Sequence, residues 1–283
     1  MSQITEESTS YPQTGVGAQP ARAREMNRRE IAAEAETPLE AMASMCVILV
    51  IGLFLFGFVF QNFAIPSGSM ENTLLIGDHV VVDRIALSPP TKWAPFVHYR
   101  PVHRGDVIVF LKPNPESPDL ILVKRAIGIA GDRIHLQHGV VYLNGVAQKE
   151  PYALQPADDG DPEHVYEPYR DEFPAVAAPA EAPLTAVWRE NLPNHVQNGD
   201  LLVPPGKVFA MGDNRTESLD SRYWGFVPLE NIEGRPTFVY WSFKTPADQE
   251  LRTSMGERIG FIVHEFTHIF SDTRWSRTFH VIR

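Results

Sequence analysis

The sequence is poor in cysteine and in basic residues. Cys46 is the single cysteine among 283 residues. One thiol excludes an intramolecular disulfide framework and a zinc site built on cysteine ligands. Lys and Arg number 25 against 35 Asp and Glu, which gives a formal net charge of -10. Because phosphate binding needs clustered Lys and Arg, this balance argues against nucleic acid as the main partner.

The composition is that of a folded chain. Hydrophobic residues make up 43% and charged residues 21%, so a wholly disordered chain is excluded. The 24 prolines and 19 glycines favour turns and strands over a helical bundle. The length fits one large domain or two modest ones.

One long apolar run interrupts this composition. Residues 41–60 contain no charged side chain, and about 20 such residues match a helix across the roughly 30 Å hydrocarbon layer. We therefore predict a transmembrane helix over residues 41–62. A cleaved signal peptide is one alternative, but 40 polar residues precede the run and it exceeds the usual apolar region of about 7–15 residues. A buried globular helix is the other alternative.

Residues 1–40 are rich in Ser, Thr, Gln, Ala and Glu and show no apolar period. They are typical of a flexible tail, with a short helix expected near residues 22–40. Arginines at positions 22, 24, 28 and 29 precede the apolar run, so the positive-inside rule predicts a cytoplasmic tail. The remainder of the chain would then lie on the extracytoplasmic side of the plasma (inner) membrane.

Short strand-like runs follow the apolar run and predict a mainly β domain. We expect a first core part at residues 63–144, an inserted subdomain at 145–205, a second core part at 206–247 and a C-terminal amphipathic extension at 248–283. Asn144-Gly145 predicts a hairpin turn. The proline-rich and acidic stretch 149–183 is interpreted as a solvated excursion without chemistry. The clearest strand-like runs are 79–83, 106–111, 120–123, 140–143, 201–203, 208–211 and 237–241.

Three segments carry residues suited to chemistry. Residues 65–74 hold Ser67 and Ser69 around a glycine, a turn that exposes hydroxyls. Lys124 ends an apolar strand, where desolvation lowers the pKa of an amine and prepares it to act as a base. The alternative for Lys124 is that its stem packs while the ammonium reaches water. Residues 211–228 form a polar loop suited to side chain–backbone hydrogen bonds and Asp–Arg pairing.

Together these segments resemble the sequence boxes of bacterial type I signal peptidase (leader peptidase), a family of membrane-anchored serine endopeptidases. The order and spacing of the boxes make the resemblance more specific than any one of them. Two positions depart from the family pattern: Asn72 replaces a usual Pro, and Thr216-Glu217 replace a usual Asp-Asn pair. The matching pieces are 66–70 with 73–74, 104–110, 123–126 with 131–132, and 212–215 with Ser218 and 220–225.

The resemblance implies an antiparallel-sheet catalytic domain with an inserted subdomain behind one transmembrane helix. It implies a Ser–Lys dyad with Ser69 as nucleophile and Lys124 as general base. Ser67 and the Ser69 backbone N–H would form the oxyanion hole, and Ser218 would orient the lysine. Structural support is expected from Asp213, Asp220 and Arg222, and substrate-binding surfaces from Phe63, Ile65, Met70, Leu74, Val80 and Val123.

The implied substrates are signal-bearing preproteins, cut after Ala-X-Ala-like sites while bound as an added strand. The lipid bilayer is the second expected partner, and no metal or organic cofactor is implied. Three alternatives stay open. His264-Glu-Phe-Thr-His268 has the zinc-protease pattern H-E-x-x-H, although an amphipathic segment packed on the core or membrane is preferred. The others are a self-cleaving repressor-type Ser–Lys protease and a catalytically silent membrane-anchored peptide-binding module.

Overall fold

The computed structural model describes residues 37–88, 99–114, 119–155, 165–246, 249 and 254–282. The chain divides into two compact units, with the boundary between Leu53 and Phe54. The predicted tail, with its short helix near residues 22–40, lies outside the described residues except for positions 37–40.

Helix α1, Pro38–Phe54, continues as a π-helix over Leu55–Val59. Thr37 caps it: its hydroxyl accepts from the Glu40 N–H at 3.2 Å, and the Glu40 carboxylate accepts from the Thr37 N–H at 2.8 Å. The helix is 22 residues long, and an 18-residue stretch of it has a mean hydropathy of 2.7 and no buried residues, so by length and composition it can cross a membrane. It begins three residues before the predicted start at 41.

The predicted span ended at 62, but Phe60 already begins a β-strand. Gln61 and Asn62 pair with Val82 and Val81 of the next strand. Their polar side chains suit a strand outside the hydrocarbon layer better than the end of a lipid-crossing helix. The predicted C-terminal boundary of the span is therefore three residues too late.

The second unit, which begins at Phe54, contains thirteen named strands among the described residues. They are β1 Phe60–Ala64, β2 Asp78–Asp83, β3 Val107–Leu111, β4 Ile121–Ile129, β5 Arg133–Gln137, β6 Val140–Leu143, β7 Val146–Ala147, β8 Val196–Gln197, β9 Asp200–Leu202, β10 Lys207–Met211, β11 Val227–Pro228, β12 Ile232–Ser242 and β13 His280–Val281. The helices are α2 Pro168–Asp171, α3 Ala186–His195, α4 Ser221–Trp224, α5 Met255–Thr267 and α6 Ile269–Asp272.

These strands form two sheets. The larger follows the order β1-β2-β12-β3-β4-β10-β11, with β13 paired to β12, and the smaller follows β7-β6-β5-β9-β8. All ladders described within them are antiparallel. Strand β12 pairs with β3 over Ile232–Gly234 and with β2 over Arg235–Ser242, and the register shifts within both ladders. The expectation of a mainly β, antiparallel fold behind one apolar helix is confirmed.

The smaller sheet starts earlier than the inserted subdomain predicted at 145–205. Its strand β5 begins at Arg133, inside the expected first core part. The predicted turn at Asn144-Gly145 joins β6 to β7, and both residues have positive φ, 53° and 81°. Apolar alternation marks a strand without saying which sheet it joins, so the boundary could not be found from periodicity.

Part of the proline-rich and acidic stretch packs into the core, so its interpretation as a solvated excursion is wrong there. Glu167 caps α2 by accepting from two backbone N–H groups of the helix. The helix then buries Tyr169, and Phe173 follows with no exposed surface. The Tyr169 hydroxyl donates to the Arg222 carbonyl at 2.6 Å. Residues 156–164 of the same stretch lie outside the described part.

Two apolar clusters form the core. The larger gathers side chains of both sheets around Phe110, Phe209 and Trp188. The smaller lies on the larger sheet, around Val80, Val109 and Val239. Strand β4 contributes Leu122 to the larger cluster and Val123 to the smaller. Its next residue, Lys124, therefore lies where both clusters exclude water.

Candidate active site

The serine-bearing turn follows β1. The Ile65 N–H donates to the Asp78 carbonyl at 2.8 Å, and the Gly77 N–H donates to the Ile65 carbonyl at 2.9 Å, which fixes the start of the turn. A short 3-10 helix spans Gly68–Met70. Met70 is 1% exposed and anchors the far side of the turn. Ser69, between these two anchors, is half-buried.

Lys124 lies in the middle of β4, which is flanked by β3 and β10. It is 3% exposed. Its Nζ donates to Ser69 Oγ at 2.6 Å and to the Val123 carbonyl at 3.0 Å. Burial lowers the pKa of Lys124 to about 8, against the opposing charges of Asp220 and Asp213. The structure therefore brings the predicted amine and hydroxyl into direct contact, with the amine poised to lose its proton near neutral pH.

The carboxylate of Asp213 joins three parts of the site. Arg125 donates to it twice, from Nε at 2.8 Å and from Nη2 at 2.7 Å. The Thr73 hydroxyl, four residues after Ser69, also donates to Asp213. Strand β4, the serine-bearing turn and the polar loop after β10 are thus tied together through one buried group.

Asp220 and Arg222 form a second buried pair, each 0% exposed. Arg222 donates from Nε at 2.9 Å and from Nη2 at 2.7 Å. Burial alone would raise the pKa of Asp220, but the charge and hydrogen bonds of Arg222 outweigh it and lower that pKa. Asp220 also accepts from the Gly212 N–H at 3.1 Å, which fastens both ends of the polar loop.

Gly212 lets this loop approach the serine. A Cβ at this position would lie 2.4 Å from the Ser69 carbonyl oxygen and 2.3 Å from Ser218 Oγ, closer than real contacts allow. The Asn214 N–H donates to that same Ser69 carbonyl at 3.2 Å. The glycine is therefore required by space rather than by its dihedral angles.

Ser218 does not make the predicted hydrogen bond to Lys124. Its hydroxyl is buried and has no hydrogen-bond partner within the described residues. Lys124 Nζ is already directed at Ser69 Oγ and the Val123 carbonyl. Ser67 is exposed, and its hydroxyl lies 3.5 Å from Ser69 Oγ, at the limit of a hydrogen bond.

The six side chains expected to bind substrate belong to one cluster. Phe63 and Val123 are partly buried and keep exposed surface. The other four form the floor beneath, between 0% and 4% exposed. These are Ile65, Met70, Leu74 and Val80.

Sequence reasoning missed a clamp on the serine-bearing turn. Asn72 has φ 91° and its amide donates to the Tyr152 carbonyl at 2.9 Å. The Arg125 guanidinium lies 3.9 Å from the centre of the Tyr152 ring. Arg215 donates to both carboxylate oxygens of Glu150, at 2.7 and 2.8 Å. The sequence could have pointed to Arg125, because it follows Lys124 in the same box. Glu150 and Tyr152 lie in the proline-rich stretch, where no sequence pattern pointed to them.

His264 and Glu265 of the zinc-protease pattern lie on helix α5, and His268 follows the last helical residue, Thr267. His264 Nε2 lies 3.1 Å from Asp272 Oδ2, and the rings of His264 and His268 stack at 4.2 Å. Among the described residues there is no group of three or more His, Cys, Asp or Glu side chains placed to hold a metal ion.

Comparison with known proteins gives a family match. The family "Signal peptidase, peptidase S26" matches residues 39–241. Signal peptidase I of Aquifex aeolicus (strain VF5) is 32% identical over 234 residues, which cover 73% of this chain and 85% of the relative. Signal peptidase I of Bacillus caldolyticus is 32% identical over 206 residues, covering 73% and 91%. Signal peptidase I of Haemophilus influenzae is 29% identical over 262 residues, covering 74% and 71%.

A mainly β domain with a serine hydroxyl against a buried amine is thus matched by a peptidase family over most of its length. The chain belongs to the signal peptidase family, peptidase S26. This membership disfavours the repressor-type alternative.

Proposed function

We propose that the protein is a membrane-anchored serine endopeptidase that removes N-terminal signal peptides from exported preproteins. The observation that carries the proposal is the 2.6 Å contact between Ser69 Oγ and Lys124 Nζ. The amine is buried and its pKa is lowered to about 8. A serine hydroxyl is a weak nucleophile until a neighbouring base takes its proton, and a neutral amine can take it.

The proton path follows from this contact. Once Lys124 is neutral, the Ser69 hydroxyl donates to Nζ, and Ser69 Oγ attacks the scissile carbonyl as its proton passes to the amine. Collapse of the tetrahedral intermediate gives an acyl-enzyme, and Lys124 returns the proton to the leaving amine. Neutral Lys124 then activates water, which releases the signal peptide from Ser69.

Negative charge develops on the scissile carbonyl oxygen while the acyl-enzyme forms and again while water hydrolyses it. Hydrogen-bond donors must stabilise this charge in both steps. Ser67, whose hydroxyl lies beside Ser69 Oγ, and the backbone N–H of Ser69 supply them in this proposal. Ser69 lies at the start of a 3-10 helix, where backbone N–H groups lack intrahelical partners. Removing one such donor typically costs about 3 kcal/mol of transition-state stabilisation.

The polar loop positions the base. Ser218 has a buried hydroxyl without a partner in the described chain, next to Gly212 and the Ser69 carbonyl. In this proposal Ser218 orients Lys124. The hydrogen bond between the Ser218 hydroxyl and Nζ forms once Nζ turns from Ser69 to the leaving group. Asp213, Asp220 and Arg222 hold the loop through the buried pairs described above.

The substrate binds as an extended strand next to the edge strand β1. In the larger sheet β1 has one neighbour, β2, among the described residues, so its other edge can accept a peptide. Phe63 on β1 and Val123 on β4 present apolar surface over the buried floor. Shallow apolar contacts suit small side chains, in keeping with cleavage after Ala-X-Ala-like sites.

The apolar helix supplies proximity. Nine residues lie between Val59, the last residue of the helix, and Ser69. A signal peptide inserted in the same bilayer therefore meets the nucleophile close to the lipid surface, which lowers the entropic cost of the encounter. The arginines before the helix favour a cytoplasmic N-terminus and a catalytic domain on the extracytoplasmic side of the plasma membrane.

Processing of a signal-bearing preprotein by the full chain in proteoliposomes tests the proposal. Ser69→Ala and Lys124→Ala should each lower the cleavage rate by a factor on the order of 10² to 10⁴ or more, because each removes half of the reacting pair. Ser276→Ala and Lys149→Ala change the same residue types at exposed positions and should cleave normally.

A serine-directed acylating probe separates the enzyme from a silent peptide-binding module. It should label the wild type and not Ser69→Ala. Full processing by either dyad variant would refute the dyad, and an unlabelled, inactive wild type would favour the binding module.

A further inference from the structure

The two reacting side chains come from strands that are not neighbours. Ser69 follows β1 and Lys124 lies on β4, and the sheet order places β2, β12 and β3 between those strands. Four strand spacings of about 4.8 Å would hold β1 and β4 roughly 19 Å apart in a flat sheet. The 2.6 Å contact between Ser69 Oγ and Lys124 Nζ therefore depends on curvature of the sheet and on contacts that hold the serine-bearing turn against β4.

One segment between β7 and α2 contacts both the turn and the strand. We call residues 150–154 the clamp segment. The Tyr152 carbonyl accepts from the side-chain amide of Asn72, on the serine-bearing turn, at 2.9 Å. The centre of the Tyr152 ring lies 3.9 Å from the guanidinium of Arg125, which follows the reacting lysine on β4. A single tyrosine thus links the serine-bearing turn to the lysine-bearing strand.

The clamp segment is itself fixed to the polar loop. The Leu154 N–H donates to the Asp213 carbonyl at 2.8 Å, and the Arg215 N–H donates to the Leu154 carbonyl at 3.2 Å. The side chains of Glu150 and Arg215 form an ion pair and are 5% and 1% exposed. The Tyr152 hydroxyl donates to Glu150 Oε1 at 3.0 Å. Because buried groups hold both ends of the segment, it can restrain the turn rather than follow it.

Arg125 gives the tyrosine ring a fixed partner on β4. Its N–H groups donate to the Asp213 carboxylate, the Gly105 carbonyl and the Thr73 hydroxyl. A guanidinium is attracted to the face of an aromatic ring, most strongly where water is excluded. Arg125 is 2% exposed, so the contact with the Tyr152 ring is made by a buried and immobilised cation.

The backbone of Asn72 suits this arrangement and excludes proline. Asn72 has φ 91°, in the left-handed region that Asn adopts more readily than most other residues. Proline, the usual residue of the family at this position, is fixed at φ of about -65° and has no side-chain donor. The departure of this chain from the family pattern therefore supplies both the turn geometry and the hydrogen bond to the clamp segment.

We propose that Asn72 and Tyr152 are positioning residues that hold the serine-bearing turn against β4. They set the distance between the Ser69 hydroxyl and the Lys124 amine and so raise the rate of the peptidase reaction. The inference deepens the proposed function and rests on it. A misplacement of about 1 Å between reacting groups can cost about 10²-fold in rate.

Cleavage kinetics of the full chain in proteoliposomes test the clamp segment. Asn72→Gly keeps the left-handed backbone and removes the amide, and Tyr152→Leu keeps the carbonyl and removes the ring. Each should lower kcat about tenfold with KM within about twofold of the wild type, because the turn shifts while the surface that binds substrate is unchanged. The Asp213 contacts remain in both variants, so the loss should stay below that of Ser69→Ala.

Asn144→Gly and Tyr142→Leu are the matched controls in the smaller sheet and its β6–β7 turn. Asn144 has φ 53°, and its amide donates to Asp132 Oδ1 at 3.0 Å. The Tyr142 ring stacks on His135 with 4.7 Å between ring centres. These changes remove a similar amide and a similar ring at a distance from the dyad. They should leave kcat within about twofold of the wild type.

The double variant Asn72→Gly/Tyr152→Leu separates positioning from general damage. Its two lost contacts act in series, so its kcat should fall about as far as that of either single variant. Two independent defects would instead multiply to a loss of about a hundredfold. A multiplied loss would overturn the inference, and so would single variants whose kcat equals that of the controls.

The serine-directed acylating probe distinguishes failure of the inference from failure of the proposed function. Its rate of reaction with Ser69 should fall about tenfold in Asn72→Gly and in Tyr152→Leu, and unchanged rates would overturn the inference. A wild type that reacts with the probe but leaves the preprotein uncut would refute the proposed function, while the probe rates would still decide the role of the clamp segment. A wild type inert to both would refute the two together.

Discussion

Lys124 and Arg125 are adjacent cations on β4 with opposite surroundings. Arg125 is 2% exposed, and its charge is met by both oxygens of Asp213. Lys124 is 3% exposed, and its Nζ donates to two neutral acceptors, the Ser69 hydroxyl and the Val123 carbonyl. Burial without a paired carboxylate lowers the pKa of Lys124 to about 8. An arginine side chain keeps its charge inside a protein, so the buried guanidinium needs a carboxylate, whereas a buried lysine amine with neutral neighbours can give up its proton.

Removing the carboxylate of Asp213 disrupts its ion pair with Arg125 and should have the largest effect on stability. Asp213→Asn removes the carboxylate charge that the buried Arg125 contacts, so we expect the free energy of unfolding to fall by about 3–5 kcal/mol. The control is Asp200→Asn, whose pair with Arg133 is partly exposed, at 22% and 37%. It should cost no more than about 1 kcal/mol. Denaturant titration of the full chain in detergent measures both, and equal losses would contradict the comparison.

Replacing the unpaired cation by an apolar side chain should stabilise the protein near neutral pH. A pKa lowered from 10.5 to about 8 corresponds to a cost of about 3 kcal/mol for the charged form. Lys124→Met removes that cost, offset by about 1 kcal/mol for the lost hydrogen bond to Ser69.

The sign of the pH dependence follows from proton counts. Between pH 8 and 10.5 the unfolded wild type binds more protons at this site than the folded protein, so wild-type stability rises with pH there. The advantage of Lys124→Met should be fully present below pH 8 and lost as the pH reaches 10.5. Unfolding titrations at pH 7 and 10.5 check this, and a constant difference would show that Lys124 is charged and solvated in the folded state.

The smallest effect concerns the rate of cleavage under the proposed mechanism. Because only the neutral amine accepts the Ser69 proton, kcat/KM should rise about tenfold per pH unit below pH 8 and level off above it. Ser67→Ala should lower the plateau without moving the midpoint, since it removes a donor and not the base. Steady-state cleavage between pH 6 and 10 measures both curves. A flat wild-type profile would exclude a lysine base.

Much of the fold was predictable because it depends on local pattern. Apolar runs between turn residues located β2, β3, β4, β10 and β12 of the larger sheet, and an uncharged run located the long helix. The predicted start of the inserted subdomain at 145 was too late because β5 has the same alternation as a strand of the larger sheet. The burial of Tyr169 and Phe173 was hidden because a short capped helix lies within a stretch whose composition is that of a loop.

The candidate site likewise has residues that a local sequence pattern identifies and contacts that no local pattern reports. Ser69 and Lys124 could be singled out as candidates because their boxes are short and occur in a recognisable order. The link from Asn72 to Tyr152 joins positions 80 residues apart, and no local pattern reports such a contact. Ser218 shows the limit of carrying a role over by position, since the residue lies beside Ser69 but its expected bond to Lys124 is not formed. The direction of a side chain depends on tertiary packing, which a local sequence pattern does not report.

The lowered pKa of Lys124 has a consequence for the resting enzyme. With a pKa of about 8, only about one molecule in ten holds the free amine at pH 7. Because Lys124 is already 3% exposed, a bound peptide has little water left to displace from the amine, so burial by the fold itself sets the reactive fraction. Under the proposed mechanism, the same fraction of sites is competent before and after a preprotein binds, and each rise in pH toward 8 enlarges it.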